Sequence, residues 1–160
     1  MTSTPSRYVA RCTPFVPYDD TWLPQAAGPP SYCDLYELSL KVFAARVREA
    51  AIPVERIAGR VLLTAGGDDL VWPSVLFASL VRDRRAAHGL NTEVITSSSA
   101  GHRVPLPGAP TTRTRGKATS RGGTAEASAE LGSRLWPALL NLLNQFGHDL
   151  VGEADGHRHP

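Results

Sequence analysis

The chain has 160 residues, 42% hydrophobic and 20% charged, a composition that fits one globular domain and excludes a disordered chain. A net charge of +2 makes no case for a nucleic-acid partner. No apolar run approaches the roughly 18 residues of a membrane span, and MTSTPSRYVARC lacks the apolar centre of a signal peptide, so a cytoplasmic protein without a membrane partner is expected.

In chain order, residues 1–33 are rich in proline and aromatics and predict an irregular lead-in, with PFVPY as one short extended piece. Cys12 and Cys33 have neither CxxC nor metal-ligand spacing, so two free thiols are expected, with no metal and no cofactor. Asp34 and Glu37 have the spacing of a capping box. Leu35, Leu38, Val42, Ala45 and Val47 then predict one helix over 34–51, stopped by Pro53. RVLLTA, residues 60–65, reads as a buried strand. Ser74 is placed to cap a helix over 75–88 with Leu76, Phe77, Leu80 and Val81 inward, and Gly89 ends it. TEVITS, residues 92–97, predicts a second strand, and residues 98–123 a long loop with five glycines and three prolines. Leu131, Leu135, Leu139, Leu142 and Phe146 repeat at helical spacing, so a last helix is expected over 124–145, kinked or divided at Pro137. A flexible tail follows over 147–160. Two short apolar strands joined through a helix imply a parallel pair and an α/β protein. Two strands alone make a poor sheet, so the pair reads as the end of a larger one.

In such sheets functional groups gather at the carboxyl ends of the strands. GGDD, residues 66–69, follows the first strand there, and SSSAGH places His102 on the loop after the second. Gly and Asp are also ordinary turn residues, and a lone loop histidine is ordinarily a surface one. Together, though, an acid after one strand and a histidine after the next reproduce the end of the order Ser…Asp…His. In that chemistry the histidine takes a nucleophile's proton, and the carboxylate orients the ring and stabilises the imidazolium. RTRGKATSR, residues 113–121, carries four positive charges and no acid; it reads as a solvated loop or a phosphate contact, and GK116–117 lacks the Ser/Thr of a P-loop. The tail GHRHP reads as a frayed end, not a metal site.

AAIPVERIAGRVLLTAGGDDLVWPS, then AGH, then GGTAEASAELGSRLWPALLNLL resemble the C-terminal domain of the acyl-CoA thioesterase and bile-acid-CoA:amino-acid N-acyltransferase family, over roughly residues 50–146. TPFVPY is similar to the approach region of that family. The resemblance implies an α/β-hydrolase-like region over 34–146 and acyl transfer from a thioester, with fatty-acid metabolism as its setting. It assigns the triad acid to Asp69, not Asp68, and the base to His102. The chain departs from the family in having no G-x-S-x-G or G-x-C-x-G elbow, and in having Ser97-Ser98-Ser99 before AGH. The fold expected is therefore the C-terminal part of an α/β-hydrolase without the half that bears the nucleophile. Its partners would be acyl-CoA or another acyl thioester once that half is supplied, and an unpaired strand edge predicts self-association. The rival expectation is a non-catalytic remnant or assembly module that keeps the fold. A nucleotide-binding domain built on TAGGDD has no GxGxxG or Walker A to support it.

Overall fold

In the computed structural model, residues 15–24, 28–109 and 119–155 are described, with side chains to Gln145. Helices α1 (Cys33–Val42) and α2 (Ala44–Ala50) precede a 3₁₀ turn at Val54–Arg56, strand β1 (Leu62–Gly66), helix α3 (Ser74–Ala86), strand β2 (Glu93–Ser97) and helix α4 (Ala125–Asp155). The protein is an α/β protein: β1 and β2 pair in parallel from Leu62 opposite Glu93 to Gly66 opposite Ser97, and α3 and α4 both pack on them.

The expected helix over 34–51 is two helices, divided at Phe43. Nor is Asp34 a cap: Tyr32 holds the cap position without a side-chain bond, and Asp34 stands in the first turn. What anchors this end is tertiary. The amides of Tyr32 and Cys33 and the hydroxyl of Ser31 all donate to the carbonyl of Leu70, at 2.9, 3.2 and 2.9 Å. The residues that α1 turns inward therefore differ from the apolar spacing. Ser39 is buried, accepting from the amide of Asp19 at 3.0 Å, while Leu38 and Val42 are exposed. Tyr36 meets Tyr18 of the lead-in edge-to-face at 5.5 Å and Phe77 of α3 at 6.4 Å, joining three segments through one ring.

Helix α3 presents only part of the face expected, with Phe77 and Val81 half-buried. Leu76 and Leu80 point to solvent, and Pro73, Ala78 and Arg85 are buried. Its C-terminus closes as the sequence predicts. Gly89 adopts φ +71°, and the amides of Gly89 and Leu90 return to the carbonyls of Ala86 and Arg85 at 3.0 Å each. This is the Schellman arrangement, which needs a residue tolerant of left-handed backbone.

Arg85 is 1% exposed. Its guanidinium donates to the carbonyls of Val54 (2.9 Å), Ile57 (2.6 Å), Gly59 (3.1 Å) and Asn91 (3.2 Å) and to the hydroxyl of Thr92 (2.9 Å). A guanidinium has five N–H donors in a planar fork, so one side chain binds both lead-ins to the strands. Residues 54–59 run into β1 and residues 91–92 into β2, and Arg85 clamps the amino ends of the pair.

Thr124 caps α4 through a 3.1 Å bond from the amide of Ala127. The expected leucine stripe is present: Leu131 and Leu135 are buried, and Leu139 and Leu142 are partly so. Pro137 does not divide the helix, which continues through it to Asp155. A tail beginning at 147 is thus corrected to a helix as far as 155. Cys12, residues 113–118 and GHRHP lie outside the described residues. Among the described residues, no helix is long and apolar enough to cross a membrane.

Candidate active site

The carboxyl ends of the two strands are held together backbone to backbone. Past the ladder, the amide of Gly67 donates to Ser97 O at 2.8 Å and that of Asp68 to Ala100 O at 3.0 Å. A Cβ on Gly66 would overlap the carbonyls of Ala100 and Gly101, so the absence of a side chain there permits this approach. The chain returns over the same end at 121–123. The amide of His102 donates to Arg121 O at 2.9 Å, and Gly123, at φ +66°, packs against Gly101.

The two aspartates divide the work. Asp68 Oδ2 accepts from the amide of Gly123 at 2.8 Å and fastens the returning strand of loop. Asp69 is 6% exposed and has all of its acceptor capacity in use. Its Oδ1 takes the amides of Val71 (2.8 Å) and Trp72 (3.1 Å). Its Oδ2 takes the hydroxyl of Ser74 and Nδ1 of His102, the latter at 3.0 Å. The structure thus brings together the two residues singled out from the sequence, and it is Asp69 rather than Asp68 that meets the ring.

A carboxylate only accepts, so Nδ1 of His102 carries the hydrogen of this bond, and in the neutral imidazole Nε2 is the nitrogen with the free lone pair. The indole of Trp72 stands edge-to-face with the imidazole at 5.1 Å and 81°, which restricts the ring a second time. Burial pushes the carboxyl of Asp69 up. The Ser74 hydroxyl, His102, and the amides of Trp72 and Val71 together outweigh it, so its pKa lies below the usual carboxylate value. A carboxyl lowered in the fold binds fewer protons than its unfolded counterpart, and the stability it contributes is present above about pH 4 and lost as the pH falls through the folded value. Acid unfolding followed by circular dichroism should therefore lose part of its dependence below about pH 4 in Asp69→Asn. An unchanged acid limb in that variant would contradict this coupling.

Two parts of this arrangement escaped the sequence. Ser74 was expected to cap α3; Pro73 holds the cap position, and Ser74 Oγ turns to Asp69. Trp72, whose ring meets His102, has no role in the sequence reading. The signal available was position: W-P-S lies within five residues of the acid, close enough to fold back on it. Cys33 is a free thiol, pushed up by burial and then by the charges of Glu37, Asp34 and Asp69. That makes it a poor nucleophile at neutral pH.

Peroxisomal succinyl-coenzyme A thioesterase of Mus musculus is 37% identical to this chain over 57 residues, which is 35% of this chain and 14% of that protein. The match therefore spans a small part of the mouse enzyme. A family model described as BAAT / Acyl-CoA thioester hydrolase C terminal matches residues 1–148. With nearly the whole chain matched, this protein belongs to the BAAT / acyl-CoA thioester hydrolase C-terminal family.

Proposed function

We propose that this chain supplies the acid–base pair of an acyl-CoA thioester hydrolase or acyltransferase, with His102 as general base and Asp69 as the carboxylate that orients it. The observation that carries the reading is the 3.0 Å bond between His102 Nδ1 and a buried Asp69, at the carboxyl ends of two parallel strands. In this reading Nε2 of His102 takes the proton of a Ser or Cys nucleophile as that atom attacks the thioester carbonyl. The proton then passes to the departing thiol, and the acyl-enzyme is released to water or an amine.

The 160 residues contain no nucleophile elbow, so the attacking atom belongs to a segment outside them in this proposal. Two further observations support such a complement. The sheet of the described residues has two strands, both of them edges, and Val42, Ile52, Ile57, Leu76 and Leu80 are exposed. A nucleophile-bearing α/β segment would extend the sheet and cover apolar surface, and in its absence the open edges favour self-association.

The test is a chimera in which this chain replaces the matching region of the mouse thioesterase, assayed for coenzyme A release from succinyl-coenzyme A. The chimera is expected to turn over and the 160-residue chain alone is not, because an acid–base pair cannot form a covalent intermediate without a nucleophile. Turnover unaffected by His102→Ala would remove the reading. A folded but inactive chimera would favour a non-catalytic assembly module.

A further inference from the structure

Helix α3 lies between β1 and β2 in the chain and packs on both, and its first residue is Ser74. Pro73 holds the cap position ahead of it, so the Ser74 hydroxyl is free of the helix end and reaches Asp69 Oδ2 instead. The four donors on Asp69 differ in where they come from. The amides of Val71 and Trp72 belong to the turn that the aspartate itself begins, two and three residues on. His102 Nδ1 belongs to the ring that the carboxylate has to orient. Of the four, Ser74 alone stands in a regular helix, so its hydroxyl is the bond that ties the carboxylate to the helix packed on the strand pair.

We propose that Ser74 is a positioning residue for the acid–base pair, its hydroxyl holding Asp69 Oδ2 where that oxygen accepts from His102 Nδ1. Its part in a reaction rests on the hydrolase reading above; its hold on the carboxylate rests on the geometry alone. The hydroxyl and the ring share Oδ2, while Oδ1 is taken up by the two turn amides. With the hydroxyl removed, Oδ2 would keep only the ring of these partners, and the side chain that should fix the ring would be fixed by it. A loosened carboxylate misplaces Nε2, and small displacements of a reacting group slow the reaction steeply. The hydroxyl also favours the ionised carboxylate. Against the burial that raises the Asp69 pKa, it is the strongest of the groups that lower it. The titratable groups around the carboxylate are His102 on the loop after β2, Cys33 on α1, which feels the Asp69 charge, and Asp68, whose Oδ2 is engaged by the amide of Gly123.

The test begins with an acid titration of the full chain, the Asp69 carboxyl being followed by carbon NMR. Ser74→Ala is expected to raise its midpoint, because a donor to the ionised form is lost. Alanine suits a helix and Pro73 still holds the cap, so the fold survives the change. Ser74→Thr, which keeps a hydroxyl, is expected to return the midpoint toward wild type. Ser39→Ala removes another hydroxyl, one bonded to Leu35 O within α1, and is expected to leave the midpoint where it is. In the chimera, Ser74→Ala is expected to lower kcat by about ten- to a hundredfold with KM unchanged, the scale for losing an outer hydrogen bond that orients a reacting group, and Ser74→Thr to restore it. An Asp69 midpoint unmoved by Ser74→Ala, or moved equally by Ser39→Ala, would overturn the proposal, as would a threonine variant that behaves like the alanine one. The two readings fail separately. Turnover that needs His102 but is indifferent to Ser74→Ala ends the positioning role alone. Turnover indifferent to His102 ends the hydrolase reading, and a Ser74-dependent Asp69 midpoint still upholds the hold on the carboxylate.

Discussion

Asp69→Asn is expected to lower turnover of the nucleophile-complemented protein by about 10⁴-fold while leaving it folded, the scale seen when the triad acid of a serine hydrolase loses its charge. The physical reason lies in one hydrogen bond. As a carboxylate, Asp69 Oδ2 accepts from His102 Nδ1, which in the neutral imidazole places the lone pair on Nε2. An amide at position 69 can present its NH₂ to Nδ1, which moves the ring hydrogen to Nε2 and removes the base. It also withdraws the charge that stabilises the imidazolium. His102→Ala should cost at least as much, about 10⁴–10⁶-fold, through loss of the proton acceptor itself. Asp68→Asn should cost far less, because Asp68 bonds the amide of Gly123 and not the ring. Succinyl-coenzyme A turnover by the chimera gives all three values. A larger loss at Asp68 than at Asp69 would reverse the assignment of the two carboxylates.

Arg85→Met is expected to be the most damaging change outside the site. Methionine fills much of the same volume but has no donor, so the carbonyls of Val54, Ile57, Gly59 and Asn91 lose their partner together. Each unsatisfied buried group costs about 1–3 kcal/mol, reduced where water can enter. A loss of about 3–5 kcal/mol overall is expected, a large part of the 5–15 kcal/mol typical of a domain. Arg85→Lys should recover only part of it, since an ammonium has three donors on one atom and cannot span acceptors from both strand lead-ins. Urea unfolding of the three proteins checks this, and a loss below about 1 kcal/mol in Arg85→Met would show that the clamp contributes little. The clamp bears on the site as well: it holds the amino ends of β1 and β2, whose carboxyl ends carry Asp69 and His102.

The elements whose cause is local are legible in the sequence. The runs around 62–66 and 93–97 are apolar and short, with a helix between them, and those features are enough for a parallel pair. Gly89 ends α3 because a left-handed residue is needed there, and the leucine stripe of α4 follows the helical period. The aspartate pair and His102 were legible because each lies on the loop after a strand, and parallel strands bring their ends to one side; the choice of Asp69 over Asp68 came from the family resemblance. How polar groups are used once distant segments meet is set by the fold and not by the local pattern. Ser74 bonds Asp69 rather than capping a helix, and Asp34 forms no cap because the chain at 31–33 is tied to Leu70. Arg85 is buried because five acceptors from two separate segments converge on it, a compensation that periodicity cannot express. The same convergence turns Ala78 and Arg85 inward and leaves Leu76 and Leu80 outside, against the apolar spacing. A hydrogen bond's partner lies wherever the fold brings an acceptor within about 3 Å, and for these side chains that partner lies outside the local pattern that sequence spacing reports.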